Sequence, residues 1–146
     1  ELFPIDRSFK SVDALARAAL RAEAREKGSK PKLLALHGIS SNAEITMMQF
    51  RNLGAWLSEM FDVTYVEGDV EVEPRYDVQK YSEGPFLGWT PHSSLASLPE
   101  NNAESQHAVD RVMAFCRKLG PFDGAFGFSQ GASLLTRVLG QDAKGE

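Results

Sequence analysis

"GAFGFSQGASLL" occupies residues 124–135. An apolar, aromatic run ends there in Gly127-Phe128-Ser129-Gln130-Gly131, and a helix-forming pattern starts at once. "DGAFGF" reads as a short buried strand and "QGASLLTRVLG" as the helix after it. Gly127 and Gly131 stand two residues before and after Ser129, which matches G-x-S-x-G, a strand-to-helix turn tight enough to hold a serine hydroxyl above a sheet edge. The glycines have a mechanical reason, since backbone crowding in such a turn leaves no room for a Cβ on either side. On this reading Ser129 is a nucleophile; the plainer alternative is a serine that caps a helix.

A serine that attacks an acyl group needs two N–H donors aimed at the developing oxyanion, one following the nucleophile and one from a loop after an earlier strand. Gln130 supplies the first. "KLLALHG", residues 32–38, is a short apolar run between Pro31 and Gly38 and reads as a buried parallel strand. Gly38 would let the chain turn there, so that the N–H of Ile39 or Ser40 could face the same point. Asn42 in the same stretch also suits an ordinary helix cap, and the two readings are compatible.

Beyond Asn42, Ile45, Met48, Leu53, Trp56, Leu57 and Met60 fall close to one helical face, with Gly54 a weak spot. "FDVTYVEGD" then reads as a strand ending at Gly68, completing a βαβ unit. Residues 69–102 break the rhythm with Pro74, Pro85, Pro91 and Pro99 and with Tyr76, Tyr81, Phe86 and Trp89. A loop this long inside a compact domain is functional or disordered. Tyr76, Phe86 and Trp89 are candidate pocket liners, or they pin the loop to the core. Helical spacing returns in "AESQHAVDRVMAFCRKLG", where Val109, Val112, Cys116 and Leu119 share a face. The order predicts a doubly wound parallel α/β sheet, cut after the elbow helix, with its site at the carboxyl ends of the strands.

Two segments are expected: a helical extension over 1–31 and a partial α/β domain over 32–146. In the extension, "FKSVDALARAALRAEAREKG" is helix-forming, with small apolar residues Val12, Leu15, Ala19 and Ala22 at helical spacing and Gly28 as the stop. The whole chain has 146 residues, 42% of them apolar, and a net charge of −4, enough for one sizeable core. Mixed charges offer no basic face, which argues against nucleic acid or anionic lipid as a partner. No stretch approaches the ~20 apolar residues that span a bilayer. Cys116, the only cysteine, rules out an intrachain disulfide and reads as a buried thiol; a cytoplasmic location is the expectation.

"LLALHGISSN" (33–42) and "GPFDGAFGFSQGA" (120–132) together resemble the FSH family of serine hydrolases, a branch of the α/β-hydrolases. "VEGDVEVEP" (66–74) and "GPFLGWT" (84–90) fit the intervening pieces more loosely. Carboxylesterases of the acyl-protein thioesterase type share L-H-G and G-F-S-Q-G, usually with a glycine where Ala132 stands. The resemblance implies hydrolysis of an acyl ester or thioester through an acyl-serine, with Ser129 attacking, Gln130 and Ile39 or Ser40 donating to the oxyanion, and no metal or organic cofactor.

A serine needs a histidine to take its proton and a carboxylate to orient that histidine. In α/β-hydrolases both follow the serine. Here Asp142 and Glu146 are the only acids after Ser129, and no histidine follows. His37 belongs to the L-H-G strand end, while His92 and His107 lie upstream on the long loop and on a helix. The expectation is therefore a partial hydrolase, inactive or slow alone and completed by a missing segment or by self-association. A non-catalytic acyl-binding or assembly module is the alternative.

Overall fold

In a computed structural model of the chain, residues 23, 25–99 and 101–144 are described here. The chain divides into two units, Glu1–Lys30 and Pro31–Glu146. The described part of the first is a helix end at Glu23, Arg25 and Glu26, where the N–H of Lys27 reaches the carbonyl of Glu23 at 3.1 Å. Gly28 closes it at φ +83°, a left-handed conformation that glycine adopts without penalty. The stripe expected from Val12, Leu15, Ala19 and Ala22 lies outside the described residues.

The second unit runs β1 (Lys32–Leu36), α1 (Ala43–Leu53), α2 (Ala55–Met60), β2 (Asp62–Val66), β3 (Val70–Glu71), β4 (Leu87–Gly88), α3 (Ala103–Leu119), β5 (Gly124–Gly127) and α4 (Gln130–Lys144). A parallel sheet is ordered β2-β1-β5, with β1 in the middle. After β2 the chain crosses to the far side of β1, and that reversal puts helices on both faces. In the register, Leu36 sits between Val66 and Gly127, and Ala35 between Tyr65 and Phe126.

Alternation along the strands then sorts the core. Leu34, Leu36 and Val66 pack with Val109 and Val112 of α3 and with Leu134 and Val138 of α4. Each such burial is worth about 1.5–3 kcal/mol. On the other row Phe50 of α1 stacks on Phe126 at 4.8 Å and meets Tyr65 edge-on at 6.4 Å.

Two packing expectations need correcting. The single helical face from Ile45 to Met60 is broken, because Gly54 adopts φ +154° and resets the helical phase between α1 and α2. Ile45, Thr46 and Phe50 are buried, while Leu53, Trp56 and Met60 are left more than half exposed. Cys116 is half-buried rather than buried, since it packs at the margin of the core on α3.

The segment after residue 68 is ordered by pairing rather than free. β3 and β4 form an antiparallel ribbon, and Ser41 extends it by exchanging both backbone hydrogen bonds with Leu87, at 3.2 and 2.8 Å. One short 3-10 turn, Val78–Lys80, lies between β3 and β4, and a second, Leu95–Ser97, follows β4. From α4, the Arg137 guanidinium gathers the carbonyls of Leu95, Leu98 and Pro99 and the hydroxyl of Ser105. Among the described residues no helix is long and apolar enough to cross a membrane.

Candidate active site

The turn after β5 is fixed by sterics and by its hydrogen bonds. The N–H of Phe128 continues the ladder to the Leu36 carbonyl at 3.1 Å. Ser129 then swings to φ +49°, in the left-handed region that costs a non-glycine residue about 1–3 kcal/mol. Its carbonyl accepts from Ala132 and Ser133 at 3.0 and 3.1 Å, the first bonds of α4. A Cβ on Gly127 would lie 2.6 Å from the Gly131 carbonyl carbon, and one on Gly131 would lie 2.5 Å from the His37 carbonyl oxygen. Both collisions are with backbone, which cannot step aside, so the two glycines are required by the close approach of β5, α4 and β1.

Ser129 itself is exposed. The loop after β1 lies against it: the Cβ position of Gly38 is 3.3 Å from the Ser129 Cβ and from the Phe128 carbonyl oxygen. Ile39 and Ser40 follow, both buried, with Ser40 at φ +56°. Among the described residues no group accepts from the backbone N–H of Ile39, Ser40 or Gln130. The Ser40 hydroxyl is engaged differently, donating to the Glu73 carbonyl at 2.9 Å and accepting from the Arg75 N–H at 2.7 Å.

Gln130 has a second function that the motif does not announce. Its buried side-chain oxygen accepts from the Trp89 N–H at 2.7 Å, and its NH2 donates to the His92 carbonyl at 2.7 Å and to Thr90 at 3.2 Å. One amide thus fastens residues 89–92 to the start of α4. Trp89 is only 1% exposed, stacks on His37 at 5.1 Å and donates its indole N–H to the His37 carbonyl at 2.9 Å. Phe86 is buried as well, whereas Tyr76 is exposed. The three aromatic candidates therefore do not line one common surface: two are packed into the protein and one faces solvent.

All three histidines are committed away from Ser129. His37, fully buried, accepts from the Gly68 N–H at Nε2 (2.9 Å) and donates from Nδ1 to its neighbour's carbonyl, Gly38 (2.6 Å). Burial pushes its pKa down, outweighing the upward pull of the Gly38 carbonyl and of Glu67, so the ring is a neutral spacer between two loops. His92 pairs with Glu104 at 2.5 Å and His107 with Asp69 at 2.8 Å, both at the surface. Burial alone would raise the Asp69 carboxyl, but the His107 hydrogen bond and the Arg111 charge hold it below its ordinary value. Among the described residues no group of three His, Cys, Asp or Glu side chains is arranged to hold a metal ion.

A strained, exposed serine between obligatory glycines, set against the loop of an earlier strand, accompanies a family match over residues 26–146, described as serine hydrolase (FSH1). The chain belongs to the FSH1 serine hydrolase family. Among curated relatives, the esterase FUS5 of Gibberella fujikuroi is 31% identical over 112 residues, covering 75% of this chain and 48% of the relative. The esterase alnB of Emericella nidulans is 32% identical over 109 residues, 75% of this chain and 36% of its own. The hydrolase phiM of Talaromyces stipitatus is 32% identical over 116 residues, 77% and 46% respectively. The chain thus spans half or less of the length of these relatives. No solved structure matches it. For this FSH1 member, the unexpected parts of the site are the Gln130 side chain and the Ser40 hydroxyl. Their only sequence signal is a polar residue placed where the fold buries it.

Proposed function

We propose that the protein is a hydrolase of carboxylic esters or thioesters that works through an acylated Ser129. The Ser129 Oγ attacks the substrate carbonyl carbon, the C–O or C–S bond to the leaving group breaks, and the alcohol or thiol departs with a proton. Water then cleaves the acyl-serine, releasing the acid and restoring the hydroxyl. The N–H groups of Gln130 and of Ile39 or Ser40 would hold the oxyanion. The observation that carries this reading is the exposed Ser129 at φ +49°, packed against Gly38 at the start of the loop that carries Ile39 and Ser40. The chemistry asks for no metal or organic cofactor.

The proton acceptor is taken from outside these residues, because His37, His92 and His107 are each engaged elsewhere. A histidine and a carboxylate from a further segment, or from a partner that completes the sheet beside β5, would finish the triad. The same engagement of all three histidines favours one second reading, a non-catalytic acyl-binding module. A fluorophosphonate probe separates them. Stoichiometric labelling of the full-length product, abolished by Ser129→Ala, supports the hydrolase. No labelling, or labelling that survives Ser129→Ala, overturns it.

A further inference from the structure

Ser40 and Gln130 each hold a different stretch of the segment that follows β2, and one side chain joins those stretches. Residues 73–75 are clamped to the Ser40 hydroxyl, and residues 89–92 to the Gln130 amide. Arg75 leaves the first clamp and donates from its guanidinium to the Ser93 hydroxyl at 2.7 Å, one residue beyond the second. Both ends of this exposed bridge are therefore pinned to residues that flank Ser129, one through the loop after Gly38 and the other through its chain neighbour.

The charge of Arg75 is unspent. Its partner is a neutral hydroxyl, and among the described residues no carboxylate lies within ion-pair distance of it. Acids in the same region are placed otherwise: Asp77 pairs with Lys80 at 2.8 Å, Glu104 with His92 at 2.5 Å, and Glu73 on the same strap makes no ion pair with it. A neutral brace between two loops needs one donor. A guanidinium has five, in a planar fork that matches a carboxylate or a phosphate two bonds at a time. In a chain of net charge −4, a local cation is what an anionic substrate would require beside the two loops that hold residues next to Ser129.

We infer that Arg75 is a specificity residue that recognises an anionic group, carboxylate or phosphate, on the ester or thioester presented to Ser129. This rests on the hydrolase reading above. Two matched substrate pairs test it and distinguish the source of the charge. Mono-4-nitrophenyl glutarate against its methyl-capped form places a carboxylate on the acyl side. Butyryl-coenzyme A against butyryl-N-acetylcysteamine places phosphates on the leaving group. In the full-length product, Arg75→Gln keeps a donor for Ser93 and removes the charge. It should lower the charged-to-neutral ratio of kcat/KM about tenfold for one of the pairs, through KM, and Arg75→Lys should recover part of the loss. An unchanged ratio in both pairs, or parallel losses within each, would show that Arg75 only braces the strap and overturns the inference. If the unaltered protein cleaves none of the four compounds, the fluorophosphonate labelling of Ser129 decides the hydrolase reading separately. Calorimetry with glutarate and inorganic phosphate on the Ser129→Ala protein then decides the anion site: tenfold weaker binding of either anion on adding Arg75→Gln supports it, and no binding or equal affinity sinks it.

Discussion

Residues 124–135 and residues 69–99 meet at Gln130, yet they hold their shapes by opposite means. In the first stretch most determinants are local: Gly127 without room for a Cβ beside Gly131 and Ala132, one serine in the left-handed region, and a helix whose first bonds close on that serine's carbonyl; only Gly131 is crowded from afar, by the backbone of Leu36 and His37. In the second, the strap between β2 and α3 has only the β3–β4 ribbon and two short 3-10 turns of its own, and its remaining stretches are fastened from far away. Ser40, Gln130 and Arg137 reach 33 to 42 residues along the chain to do so. A bend built from neighbours is written where it occurs, and a strap built from distant side chains is written elsewhere.

The largest test of that contrast is Trp89→Ala. Trp89 is the strap's anchor in the main core, and truncating a buried tryptophan costs about 3–5 kcal/mol. Urea denaturation should show that loss together with faster amide exchange across residues 69–99. A loss confined to one of the two readouts would mean that strap and core are not coupled through this ring.

Gly131→Ala strikes the other region. Its Cβ would press on the His37 and Leu36 carbonyl oxygens, at 2.5 and 2.7 Å, and overpacking of this kind costs about 1–3 kcal/mol. The lowered urea midpoint should come with shifted amide resonances at residues 36–38 and 128–132, while the β3–β4 ribbon keeps its exchange protection. Equal disturbance of the ribbon would erase the distinction between the two regions.

The smallest effect is expected where the regions share a hinge, at His37. Its folded pKa lies below the ordinary 6.5, because burial disfavours the charged ring. Below about pH 6.5 the unfolded chain takes up a proton that the folded one refuses, so this group's contribution to stability falls with falling pH, by up to about 1.4 kcal/mol per pH unit. Above pH 6.5 it is constant. Imidazole resonances followed by NMR should leave the His37 ring neutral, with its proton on Nδ1, until the protein unfolds. A ring that titrates near 6.5 in the folded state would contradict the two hydrogen bonds assigned to it.

Legibility in the sequence follows the same division. Strands β1, β2 and β5 stand where apolar runs between punctuating residues put them, since a buried parallel strand is a local pattern. Gly127, Ser129 and Gly131 are equally readable, because G-x-S-x-G is a five-residue pattern, even though the crowding at Gly131 comes from the backbone of Leu36 and His37. The face of α1 and α2 is not, for periodicity alone does not reveal that Gly54 takes φ +154° and turns Trp56 and Met60 outward. Nor does an aromatic cluster reveal which rings are interior. Trp89 is buried by His37 and Gln130, residues 52 and 41 positions away, and Tyr76 meets no such partner.

By itself the sequence determined the alternation of strands and helices, the cramped turn and the identity of the serine in it, because each is signalled by residues within a few positions of one another. Only the tertiary structure decided that His37 is a neutral spacer, that Gln130 ties down the strap and that Arg75 spans its two halves. Those assignments depend on which distant backbone groups arrive beside a side chain. Nothing in a residue's own neighbourhood encodes that until the sheet has formed.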